Sequence, residues 1–152
     1  MVGVLALGAT ALAVAPAKSH TFKGTASGRV TFATTFTAKD ALHFMTSRNG
    51  EELTSFTYTD TVCALASTEV MKVGSIKVVS NGKFSIVKHN SPALSDNLKD
   101  GGKVVTTTTI TGKFVSARKA TGTLDYTQAE TLNGKPTSHC GPITLSFTAS
   151  TP

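Results

Sequence analysis

The sequence predicts an all-β protein: an antiparallel β-sandwich of about eight strands, jelly-roll or immunoglobulin-like, behind an N-terminal signal peptide. Three observations predict it. The chain after residue 17 is dense in Thr, Ser, Gly and Val, a composition that favours strands. Apolar residues recur there with a period of two. Turn dipeptides punctuate the runs: Asn49-Gly50, Asn81-Gly82 and Asn133-Gly134. Short strands at such spacing indicate a sandwich.

Residues 1–17 carry an apolar run from Val2 to Ala15, ending in Ala13-Val14-Ala15-Pro16-Ala17. A short apolar run closing on small residues reads as a secretory signal peptide. No Lys or Arg precedes Lys18, which departs from the usual start of such a peptide. The run is shorter than the roughly 20 residues a membrane anchor needs. Cutting after Ala15 would leave Pro16 first. Cutting after Ala17 satisfies the small-x-small pattern with Ala15 and Ala17. The expected division is a leader at 1–17 and one secreted domain at 18–152.

The strands follow in order. Val30, Phe32 and Phe36 alternate with Thr31, Ala33 and Thr35. Ala38 to Glu52 reads as a loop. Phe56 and Tyr58 lie in a run where Cys63 falls out of phase, so a bulge is expected there. Ile76 and Val78 lead into Ser80-Asn81-Gly82-Lys83, the strongest hairpin signal in the chain. Phe84 and Ile86 continue it. Asn90 to Gly102 has no period and reads as a surface loop, with Ser91-Pro92 able to start one helical turn. Thr106, Thr108, Ile110 and Phe114 share a face. Leu124 and Tyr126 share another. Ile143, Leu145, Phe147 and Ala149 alternate with Thr144, Ser146 and Thr148. The lone short repeat is Gly82-Lys83-Phe84 against Gly112-Lys113-Phe114, too few copies for a solenoid.

Cys63 and Cys140 are the only cysteines. In an oxidising compartment they pair. Closing a loop of about 80 residues stabilises by about 4 kcal/mol in the loop-entropy account. The bridge would tie a middle strand to the start of the last.

The formal charge is +6 and the pI is about 9.5. The positive charges are spread from Lys18 to Lys135 without a stripe or arm, which argues against a nucleic-acid binder. A diffusely basic exterior suits solubility alone; its functional reading is long-range attraction to anionic cell-wall polymers or lipid headgroups. Loops at one sandwich end are the expected contact site, with Lys39, Arg48, Lys99 and Lys103 as candidates.

The order of features resembles a group of uncharacterised secreted proteins of actinobacteria. The matching residues are Phe22-Lys23-Gly24, Cys63, Gly82-Lys83-Phe84, Gly112-Lys113-Phe114 through Ala120-Thr121-Gly122-Thr123-Leu124, and Cys140 to Phe147-Thr148-Ala149. The resemblance implies export and a strand-built fold. It implies no activity.

Motifs for catalysis are absent: there is no Gly-x-Ser-x-Gly elbow and no His-Glu-x-x-His. His20, His43, His89 and His139 are scattered. A hydrolase would need His43 or His89 to meet an acid or hydroxyl in a cleft. Glu51-Glu52 beside Asn49-Gly50 reads as a solvated turn. Asp96 to Gly101 resembles a calcium loop, but Leu98 stands at a ligand position and no Glu closes it. If Lys18 becomes the N-terminus, His20 is the third residue, and its imidazole with the terminal amine and two amides could wrap Cu(II) or Ni(II). Threonine hydroxyls at strand spacing could order water or bind sugars, although β-propensity alone accounts for them. No cofactor is expected. The expected function is that of a monomeric, non-enzymatic extracellular binding module, with a small secreted hydrolase as the alternative.

Overall fold

A computed structural model describes residues 14–63, 69–89 and 102–152. They form eight antiparallel strands and no helix. The strands are β1 (Thr21–Thr31), β2 (Thr35–Thr46), β3 (Glu52–Asp60), β4 (Glu69–Lys77), β5 (Lys83–His89), β6 (Lys103–Ser116), β7 (Lys119–Leu132) and β8 (Lys135–Ser150).

All eight lie in one sheet, in the order β4-β3-β2-β1-β8-β7-β6-β5. A sandwich would divide the strands between two packed layers. Instead every neighbour in space is a neighbour in sequence, apart from β1 against β8, which joins the two four-stranded halves. Short turns favour such adjacent pairing. The sheet curls into a nearly closed barrel. Its two edges, β4 and β5, meet through the turn at Val79–Lys83 and a single bridge, Val78 to Phe84. The strongest hairpin signal is therefore a true turn, yet its strands diverge beyond it. Edges of this kind invite pairing with other chains, and lysines at Lys72, Lys77 and Lys83 oppose that.

The turns at 47–51, 78–82 and 117–118 define a lower end, where residues 14–20 also lie. The disulfide defines the upper end. Inward positions alternate strictly in β8: Ile143, Leu145, Phe147 and Ala149 are buried, and Thr144, Ser146 and Thr148 exposed. The lower interior is aromatic. Phe22 stacks on Phe44 at 4.9 Å, Phe44 on Phe56 at 5.4 Å, and Phe114 meets Phe22 edge-on at 5.5 Å. Such rings contribute offset and edge-to-face contacts beyond simple burial.

Three sequence expectations change. The run containing Val30, Phe32 and Phe36 is two strands, because the chain turns at 32–34. Phe32 and Phe36 end exposed at that tip, 6.3 Å apart. Ala38 to Thr46 is strand, not loop; only 47–51 turns. Its inward set is Ala38, Asp40, Leu42, Phe44 and Thr46. A buried Asp and a small Ala hid the alternation. The bulge in β3 falls at Ser55, with φ +55°, earlier than expected. The expected loop at Asn90–Gly102 lies almost wholly outside the described residues.

Candidate functional site

Two groups of polar residues could carry function, one inside the barrel and one outside. The interior group occupies the upper half. Asp40, Asp60 and Glu69 are buried there, with Thr106, Thr108, Gln128, Tyr58 and Tyr126. Asp60 stands opposite Glu69 in the β3–β4 register. Buried carboxylates are costly unless hydrogen-bonded. Asp40 Oδ1 accepts from the Thr61 amide at 3.1 Å and from the Thr61 hydroxyl. Asp40 Oδ2 accepts from the Tyr126 hydroxyl at 2.9 Å. Asp60 Oδ1 accepts from the Val62 and Cys63 amides at 3.0 and 2.7 Å. Tyr58 and Thr108 share a hydrogen bond of 2.9 Å, and the two tyrosine rings lie 5.4 Å apart.

The bonds to Asp40 Oδ1 and Asp60 Oδ1 hold residues 61–63, the arm that carries Cys63 to Cys140. The disulfide is formed, with Cα atoms 5.6 Å apart. Cys63 sits just past β3, and Cys140 lies within β8 opposite Gln128. The bridge therefore spans β2 and β1 rather than joining neighbours. Burial raises the Asp40 carboxyl above its usual range, against the bonds from Thr61 and Tyr126 that lower it. Burial raises the Tyr58 and Tyr126 phenols, and the charges of Asp60 and Asp40 push both in the same direction. Asp60 Oδ2 is the one buried side-chain oxygen among the described residues without a hydrogen-bond partner.

No histidine joins this group. His43 faces outward from β2, in a surface groove with Lys23, Thr57 and Thr59. His89 lies 3.4 Å from the Thr107 hydroxyl, and His139 is exposed on β8. Neither His43 nor His89 meets an acid among the described residues. No cluster of three His, Cys, Asp or Glu there suits a metal. His20 is exposed at the lower end. Its amide donates to Thr46 Oγ1 at 3.0 Å, and the Ser19 amide donates to the Ser47 carbonyl at 3.2 Å. Wrapping a metal ion in those two amides would break both bonds.

The exterior group emerges from strand register. The two Gly-Lys-Phe segments are antiparallel neighbours. Lys83 stands opposite Lys113, Phe84 opposite Gly112, and the Phe114 amide donates to the Gly82 carbonyl at 3.0 Å. The short repeat is thus one reciprocal cross-strand unit. Gly112 leaves room for the Phe84 ring, since a Cβ there would lie 2.4 Å from Phe84 Cζ. Inward phenylalanines send both lysines outward. Like charges directly opposite destabilise a sheet by a fraction of a kcal/mol, up to about 1.

The register extends this pair into a face. One outward row runs Thr25, Thr148, Thr121, Lys113, Lys83. The row above it runs Lys39, Ser27, Ser146, Thr123, Thr111, Ser85. The row below it holds Lys23, Ser150 and Lys119. None of these rows contains an acid. Two shallow grooves, of about 230 and 380 Å³, run along Lys83, Lys113, Thr111, Thr121, Thr123 and Lys77. Asp125 first appears one row higher, opposite Thr109.

The expected contacts do not gather at one loop cluster. Lys39 belongs to the edge of the basic face. Lys103 starts β6 at the upper end, and Arg48 lies in a turn at the lower end. Lys99 and the Asp96–Gly101 segment lie outside the described residues. Charge alone could not find Lys83 and Lys113; their matching Gly-Lys-Phe frames were the available signal.

Fold and site define a class: a single-sheet, barrel-like β-protein, strapped by one disulfide and basic on its outer face. Compared with known protein families, curated proteins and solved structures, the chain matches none. Among the described residues no helix is long and apolar enough to cross a membrane.

Proposed function

We propose that this is an exported, non-enzymatic binding module that holds an anionic polymer of the cell wall on its outer face. The carrying observation is the set of three outward rows around Lys83 and Lys113, none of which holds an acid. Lysines there supply charge, and the Thr and Ser hydroxyls between them supply donors to phosphate or carboxylate oxygens. A bound polyanion relieves the repulsion between the two opposed lysines. The face carries no aromatic platform for nucleobases, which single-stranded nucleic acid needs. The paired cysteines and the apolar N-terminal run support export. The actinobacterial resemblance agrees with it. Asp40 and Asp60 each accept hydrogen bonds from the arm that carries Cys63, and no histidine lies with them.

Retention on a purified glycerol-phosphate wall polymer tests the proposal. The wild type is expected to bind at low salt and elute as salt rises. Lys83→Gln with Lys113→Gln is expected to lose most retention, and Arg48→Gln to lose little. Equal retention of all three proteins overturns the assignment to this face. No retention of the wild type at low salt overturns the function.

A further inference from the structure

We propose that Asn133 is a self-modification site: it loses its side-chain amide to the next backbone nitrogen, which makes the tip of the β7–β8 hairpin acidic. The proposal stands apart from export and from polymer binding, and its failure leaves both untouched. Asparagine is a thermolabile residue, and a following glycine has no side chain to shield its amide nitrogen. The chain holds three such pairs: Asn49-Gly50, Asn81-Gly82 and Asn133-Gly134. Their local chemistry is the same. The fold treats them differently.

The first two are held. Asn49 Oδ1 accepts from the Ser47 hydroxyl at 2.6 Å and the Glu51 amide at 3.1 Å, and its Nδ2 donates to Glu51 Oε2 at 2.7 Å. The Gly50 amide, which would have to attack, donates to the Ser47 carbonyl at 3.1 Å. Asn81 Oδ1 accepts from the Lys83 amide at 3.1 Å, and the Gly82 amide donates to the Val79 carbonyl at 2.8 Å. Residues 14–18 also lie against both glycines. A Cβ on Gly82 would collide with the Val14 carbonyl, and one on Gly50 would touch Lys18 and Pro16.

The third is not. Asn133 and Gly134 have φ of +51° and +76°, the two left-handed residues of a type I′ turn. Among the described residues no side-chain bond holds Asn133 and no backbone bond holds the Gly134 amide. A Cβ on Gly134 would meet nothing within 4 Å. The ladder behind the tip is weak. Its register shifts between Glu130 and Thr131, and Thr131 stands opposite Pro136, which has no amide to donate. Residues 132–139 are exposed. Of the three turns, this one opens at least cost.

The step balances with water alone. The Gly134 nitrogen bonds to Asn133 Cγ, the Cγ–Nδ2 bond breaks, and ammonia leaves with the amide proton. Water then opens the resulting succinimide at either carbonyl. One product is aspartate. The other is isoaspartate, whose main chain is longer by a methylene, so Leu132 and Lys135 lose their pairing.

Peptide mapping of the folded protein, held in mildly alkaline buffer and sampled over time, tests the proposal. Asn133 is expected to convert at least roughly ten-fold faster than Asn49 or Asn81, the ratio set by the extra hydrogen bonds that must open at those sites. In urea with reductant the three are expected to convert at like rates. Asn133→Gly keeps the left-handed turn and is expected to abolish the early acidic species. Equal rates in the folded protein, or Asn49 or Asn81 converting first, overturns the proposal. The same preference for Asn133 in the unfolded chain also overturns it, because the cause would then lie in neighbouring residues and not in the fold.

Discussion

Replacing Gly112 by Ala tests the interlocked pair of Gly-Lys-Phe strands. The new methyl group would lie 2.4 Å from Phe84 Cζ, 2.6 Å from Cε2 and 2.9 Å from the Thr121 carbonyl oxygen. Carbon atoms rest at about 3.5 Å or more. The ring must therefore retreat by about 1 Å. Its neighbours oppose that: Phe114 at 5.7 Å between centroids, Phe44 and Phe147 at 6.4 Å. The Thr121 carbonyl is backbone of β7 and yields less. Overpacking of this kind costs about 1–3 kcal/mol. Ala over Gly in a strand returns about 0.5–1 kcal/mol. A net loss near 1 kcal/mol is expected, or about 3 °C in melting temperature for a chain of this length. Phe84→Leu removes the obstructing ring atoms and costs about 1–2 kcal/mol alone. In the double variant the methyl group occupies vacated space. The losses should then fall short of additive by about 1 kcal/mol. Urea unfolding of the four proteins, followed by circular dichroism, measures this cycle. Strict additivity, or Gly112→Ala as stable as the wild type, would refute the reasoning.

Other outcomes follow from the same contacts. Cys63→Ala with Cys140→Ala should cost about 4 kcal/mol, because the bridge spans 77 residues; calorimetry with and without reductant measures it. Asp40 has a raised carboxyl pKa, so the folded state holds more protons than the unfolded state between the two values. Its contribution is fully present below the unfolded value and is lost as pH rises through the folded one. Asp40→Asn should flatten that part of the stability profile above pH 4 while keeping an acceptor for Thr61; parallel denaturant titrations across pH would show no divergence if Asp40 were unimportant. Thr46→Val removes the hydroxyl shared by the His20 amide and the Ala17 carbonyl. The expected loss is about 1–3 kcal/mol, read as earlier amide exchange at residues 17–20.

Much of the strand pattern was legible because burial in a sheet leaves a period of two in the residues themselves. Ile143 to Ala149 is the clearest case. The alternation failed where inward positions were not apolar. Asp40 is buried yet reads as surface, so β2 passed for a loop. Phe32 and Phe36 are exposed at a tip, so two strands passed for one. The disulfide was legible because only two cysteines existed. The acids that hold its arm were not, since Asp40 and Thr61 are 21 residues apart.

The sequence alone determined that the protein is built of antiparallel strands, with one bridge and a basic balance of charge. Alternation, turn residues and cysteine number are local or countable quantities. Only the tertiary structure decided that the strands form one curled sheet, and that Lys83 and Lys113 stand side by side. Closure depends on which strands become the edges, and register across strands depends on how inward rings and glycines fit. Both are decided by packing among residues distant along the chain.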